Sequence, residues 1–159
     1  MIRESLEHYQ QQLSVVDEQI LNVVQSCEAM SEKAGILNSC PGVGPATVGL
    51  LLAELPELGT LSRGKTAKLV GVAPMANDSG TKEGRRKTHA GRGAVRKTLY
   101  MAALVCTRYN APLRAFYQRL LARGKQKKVA IVAVMRKLLV ILNTMIKNQE
   151  IWKDTAFQS

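Results

Sequence analysis

Carboxylates are nearly absent from the middle of this 159-residue chain: between Leu61 and Lys137 there are 19 basic side chains and only two acidic ones, Asp78 and Glu83. A magnesium-dependent nuclease needs several carboxylates converging on the metal, and paired-carboxylate acid–base chemistry needs two placed across a bond; this region supplies neither set. Histidine is as scarce, with His8 and His89 alone. The three cysteines, Cys27, Cys40 and Cys106, are odd in number and lack CxxC spacing, so they point to neither a disulfide framework nor a zinc site and fit a reducing cytosol. Aromatic residues make up 4% of a chain that is 46% hydrophobic, which argues against a strand-rich fold and for a helical core of Leu, Val, Ile, Ala and Met. No GxxxxGK[ST] phosphate loop occurs, since "GVGPAT" (42 to 47) lacks its lysine. A clean membrane-spanning run is missing too. "VAIVAVMRKLLVILNTMI" (129 to 146) carries Arg136 and Lys137 at its centre and reads as a buried core helix. The start, "MIRESLEHYQ", is too charged for a secretory signal.

What the chain does have is positive charge, 23 Lys+Arg against 12 Asp+Glu. Residues 1 to 33 hold two basic and six acidic side chains, whereas 34 to 159 hold 21 basic and six acidic. The two parts therefore suit different partners, and the basic part suits a polyanion, of which nucleic acid is the commonest.

The length allows one domain with a real core and one appendage. Residues 2 to 30 follow a four-three apolar spacing, with Leu6, Leu13, Ile20 and Cys27 at one seam position and Ile2, Tyr9, Val16, Val23 and Met30 at the other. That heptad, narrow and flanked by acidic residues and glutamine, favours an uninterrupted coiled-coil helix over 1–34, stopped near Gly35, with its stripe covered by a second protomer or by upstream chain; a helix packed on its own domain is the plainer alternative. His8 falls on its solvent side. A helical domain is expected over 35–150 and a tail over 151–159. Within the domain, Pro41-Gly42-Val43-Gly44 precedes a helix opened by Pro45, a pattern like the helix-hairpin-helix, whose glycines let backbone N–H groups approach a phosphate. A tight turn between two core helices is the plainer reading of the same residues, and both can hold. Ser62 can cap a helix from Arg63 to about Val70, and further helices are expected over 94 to 110, 112 to 124 and 129 to 147, with Asn110 and Pro112 marking a break and restart and Gly124 a stop. The expected class is all-α, with a long basic loop at 74–93.

That loop contains Asp78-Ser79-Gly80 followed by Lys82, Arg85, Arg86, Lys87 and Arg92. A serine can attack a phosphodiester when cations stabilise the charge of the transition state and a base accepts its proton. The same tripeptide also makes an ordinary turn in a solvated, phosphate-attracting loop. Composition alone favours the turn.

The order of motifs adds to this. The Pro-Gly-x-Gly hairpin (41 to 44), "GVAP" (71 to 74), Ser79-Gly80, the basic stretch, the Gly-Arg-Gly turn (91 to 93), and Arg96 followed by "LYMAA" (99 to 103) stand in sequence over about 36 to 147. Together they resemble the C-terminal transposase domain of the insertion-sequence transposase family that includes Piv-like DNA invertases and bridge-RNA-guided recombinases. The resemblance implies that Ser79 is the nucleophile joined covalently to DNA. Gly42, Gly44, Lys82, Arg85, Arg86, Lys87, Arg92 and Arg96 are the expected nucleic-acid contacts. A guide RNA is a further implied partner beside DNA, and a homo-oligomer is expected through the coiled coil. The family places Mg2+ on carboxylates of a separate acidic domain, so none is expected on these residues. The chain is then expected to be a C-terminal portion that binds nucleic acid and does not cleave it unaided. The rival reading is a non-catalytic nucleic-acid-binding module in which Ser79 only shapes the loop.

Overall fold

The computed structural model describes residues 2–62, 64–65 and 90–154, and among them every regular element is a helix. In order these are α1 (Ile2–Ser26), α2 (Glu28–Asn38), α3 (Pro45–Glu54), α4 (Ala90–Tyr109), α5 (Ala111–Ala122) and α6 (Lys127–Asn148). The all-α class read from the sequence holds. Of the helix expected after Ser62, residues 64 and 65 are helical, while 66 to 70 and most of the loop at 74–93 lie outside the described residues.

α6 is the centre. Its apolar residues recur on several faces, and Ala130, Val134, Leu138, Leu139 and Leu142 are fully buried. α4 and α5 pack on it and on each other, α3 packs on α4, and α2 bridges α3 and α6. The described helix long and apolar enough to cross a membrane is therefore the one wrapped by its neighbours, as its central charges predict. Those charges sit at the edge of the packing: both are half-buried, and the Lys137 ammonium lies 4.7 Å from the centre of the Phe116 ring of α5.

Two boundaries differ from the sequence reading. The N-terminal helix is not continuous: it ends at Ser26, and Cys27 is extended (φ −110°, ψ 113°) before α2 begins. Ser26 Oγ donates to the Val23 carbonyl at 2.7 Å, a local bond that competes with helix propagation. The break turns α2 so that Leu37 is fully buried and Met30 packs on the core. α2 also runs through Gly35, which was expected to stop it; burial of Leu37 outweighs the cost of one helical glycine, about 1 kcal/mol. At the other boundary, Gly91-Arg92-Gly93, expected as a turn, belongs to the first turn of α4. N–H groups there need no intrahelical partner, and a Cβ at Gly93 would meet nothing.

α1 stands largely clear of the rest. Val24 is its one buried residue among those described, and Ile20 reaches α3, where a Cβ on Gly49 would meet it at 2.9 Å. Other heptad side chains of α1 are open, with Ile2 81%, Leu13 62% and Val23 64% exposed.

One buried polar residue fixes the chain after α3. Asn143 of α6 accepts the Gly59 N–H at 2.7 Å and donates to the Leu61 carbonyl at 3.0 Å. The turn lies so close to α6 that any Cβ at Gly59, where φ is +99°, would overlap Ile146. After α6 the chain returns to the same body at Trp152, whose N–H donates to Ser39 Oγ at 2.8 Å. Asn143→Ala orphans two backbone groups and is expected to cost about 1–3 kcal/mol, read as a lowered urea midpoint at unchanged slope.

Candidate nucleic-acid interface

The hairpin between α2 and α3 is built from short-range bonds. The Cys40 N–H donates to Leu37 O, the Val43 N–H to Cys40 O, and the Val48 N–H to Gly44 O, which starts α3. Gly42 takes φ +97°, a conformation other residues adopt only under strain. It also lies flat against α4: a Cβ there would stand 2.5 Å from Cys106 Sγ and 3.0 Å from the Cys106 backbone nitrogen. Packing alone thus demands glycine at 42. Gly44 is different. It is exposed, its φ is −92°, and a Cβ would meet nothing.

The Pro41 carbonyl is where the hairpin is tied down. It accepts the Cys106 thiol at 3.3 Å and the Asn110 amide at 3.2 Å. Asn110 is fully buried, and its Oδ1 accepts the Leu113 N–H at 3.2 Å, so the same side chain caps α5 and holds the hairpin. The sequence signalled only a break here; Asn followed by Pro at the second helical position is the pattern that identifies a cap. Burial pushes the Cys106 thiol up to about 12, and Cys40 higher still, through burial and the neighbouring Cys106. Each thiol keeps its proton to a higher pH when folded than when unfolded. Their contribution is therefore complete below the ordinary thiol range and lost as pH rises through the folded values.

With the hairpin held this way, the start of α3 faces outward. Gly44, Pro45 and Ala46 are exposed, and no side chain caps the first turn. Its N–H groups have no partner inside the helix and carry the positive end of the helix dipole, a geometry that accepts an anion.

Of the other expected contact residues, Ser79, Lys82, Arg85, Arg86 and Lys87 lie outside the described residues. Arg92 falls in the first turn of α4. Arg96, one turn later, is exposed and lines a cleft of about 540 Å³ between α4 and α6, together with Lys97 and Lys128. Sequence reading missed Lys97 and Lys128, because no linear motif links the start of α6 to the middle of α4. Among the described residues no group of three or more His, Cys, Asp or Glu side chains converges as a metal site, and the donor chemistry here does not fit magnesium.

Comparison with known proteins bears on this arrangement. The profile of the transposase IS116/IS110/IS902 family matches residues 34–118, more than half of the chain. The chain belongs to this transposase family. The family match runs from the middle of α2 through the hairpin and the basic stretch to α5, so it takes in Pro41, Gly42, Cys106 and Asn110, and Ser79 as well. Among the relatives of this transposase chain is the pilin gene-inverting protein of Moraxella bovis, 28% identical over 149 residues that cover 91% of this chain and 46% of the relative. The insertion element IS110 43.6 kDa protein of Streptomyces coelicolor is 28% identical over 116 residues, 71% of this chain and 28% of the relative. The insertion element IS116 44.8 kDa protein of Streptomyces clavuligerus is 25% identical over 146 residues, 89% and 37% respectively. The chain thus spans about half or less of the length of these relatives.

The thiols report whether the hairpin is docked. At pH 8 the exposed Cys27 is expected to react with a thiol reagent while buried Cys40 and Cys106 do not. Gly42→Ala should release both within the same assay, through backbone strain and overlap costing roughly 1–3 kcal/mol, and Gly44→Ala should release neither. Raising the pH towards 12 should have the effect of Gly42→Ala on the unsubstituted chain.

Proposed function

We propose that this chain acts in DNA strand cleavage and exchange, with Ser79 as the nucleophile. The observation that carries the reading is the family match across the segment that holds Ser79 and the cations around it. The Ser79 hydroxyl oxygen bonds to a backbone phosphorus as the bond from phosphorus to a sugar oxygen breaks. The proton lost by the serine goes, in net, to that leaving oxygen. A sugar hydroxyl from another strand reverses the step, so no external energy source is needed. Lys82, Arg85, Arg86, Lys87 and Arg92 stabilise the charge on the phosphoryl oxygens. The open start of α3 at Gly44 and the α4 residue Arg96 hold flanking phosphates.

The proposal assigns magnesium to carboxylates outside these 159 residues, in keeping with the carboxylate poverty of residues 61 to 137. By itself the chain then binds nucleic acid without cutting it. The exposed apolar seam of α1 is assigned to a coiled coil with a second protomer, and a guide RNA is a further proposed partner. The pilin gene-inverting relatives are named for an inversion of DNA, which suits strand exchange.

A suicide DNA substrate, incubated with this chain and the remainder of its recombinase, tests the nucleophile. The expected outcome is a protein–DNA adduct that maps to Ser79 by mass spectrometry and is absent from Ser79→Ala. Retained strand exchange in Ser79→Ala would leave Ser79 as a turn residue and the chain as a binding module.

A further inference from the structure

The cleft beside Arg96 does not end there. It continues along the α4–α6 groove into a second hollow of about 910 Å³ that shares Tyr100, Met101 and Lys128 with the first and reaches Tyr109. From Arg96 to Tyr109 the α4 face runs about 20 Å, at 1.5 Å per residue.

Three features of this groove are unusual together. Its rim carries Arg96, Lys97, Arg108, Lys127 and Lys128, and no carboxylate lines it among the described residues. Its floor is apolar and open, with Met101 61% exposed and Val105 40%. Three of the four tyrosines in this aromatic-poor chain, Tyr100, Tyr109 and Tyr117, stand along it, and Tyr109 is 72% exposed. A large, unburied tyrosine beside exposed methionine and valine contributes little to the fold, so the site is built for something that covers it.

Cations alone would serve a duplex, which offers phosphates outward and keeps its bases stacked inside. Aromatic faces and an apolar floor are used only when bases are unstacked: each base laid on an aromatic ring gains stacking, and the cations track the phosphates at its side. We propose that the α4–α6 groove binds an unpaired stretch of DNA, its bases on Tyr100, Tyr109 and the apolar floor and its phosphates along the rim. The proposal rests on the DNA reading above and deepens it, since strand exchange passes through unpaired strands. The other occupant with matching chemistry is the acidic, apolar-striped α1 of a second copy.

The test is fluorescence anisotropy with the full chain and a labelled oligodeoxythymidine at low salt. Tyr109→Ala and Tyr100→Ala are each expected to weaken binding by about tenfold, Tyr109→Phe and Tyr100→Phe to leave it unchanged, and duplex affinity to move little in any of them. Tyr109 is largely exposed, so its truncation leaves the core intact, and circular dichroism checks that it does. Wild-type affinity in both alanine variants would overturn the proposal while leaving the DNA reading in place. So would an equal loss of duplex binding, a preference for oligouridine, or displacement of the DNA by a peptide of residues 2–26. No binding of either single strand or duplex would overturn both.

Discussion

The fold's arrangement depends on one half-buried acceptor, the Pro41 carbonyl. A thiol and an amide from α4 and the α4–α5 junction converge on it, and a glycine beside it allows the backbones to meet. Neither bond is strong by itself, each contributing about 1 kcal/mol. Their effect is positional. With Pro41 held, Gly42 cannot carry a side chain, and α3 must start outward with its first turn uncapped. Asn110 couples this to α5, because the side chain that holds the hairpin also begins that helix.

The distribution of charge follows from the same packing. The neighbours that cover α6 leave Lys128 at its start in one cleft with Arg96 and Lys97, and Lys127 in the adjoining hollow. α3 and α4 are in contact, which keeps the uncapped start of α3 and the arginines of α4 on one helical body. The acidic helix α1 takes little part in the core, and its exposed stripe leaves room for a partner without disturbing that body. Segregated charge in the sequence thus becomes segregated surface: a cationic, grooved domain and an acidic arm.

The helical class, the buried nature of α6 despite Arg136 and Lys137, and the Pro-Gly turn were legible from spacing and composition. The helix boundaries at α4, α5 and α6 fall within a few residues of those expected, since apolar periodicity and the Asn110 and Gly124 signals are local. What failed was continuity at Cys27. A perfect heptad passes through it, yet the demand that Leu37 reach the core redirects the chain, and tertiary contacts of that kind leave no local mark. The close approach that requires glycine at 42 is hidden in the same way: the turn is legible, but proximity to Cys106, 64 positions away, is invisible in sequence. At the site, motif order pointed to Ser79 and the cations of 82 to 92, whereas Lys97, Lys128 and the tyrosines of the groove emerge only once α4 and α6 lie side by side.

A domain after α1 that presents its positive charge to nucleic acid, as proposed, must lose affinity as salt rises. Equilibrium binding of the chain to duplex DNA across a salt series tests this most directly. Released counterions give a slope of log K against log salt of about −0.9 for each phosphate neutralised on B-DNA. A steep linear decline corresponding to several phosphates is expected, made shallower by Arg96→Ala. A flat dependence, or no binding at low salt, would contradict it.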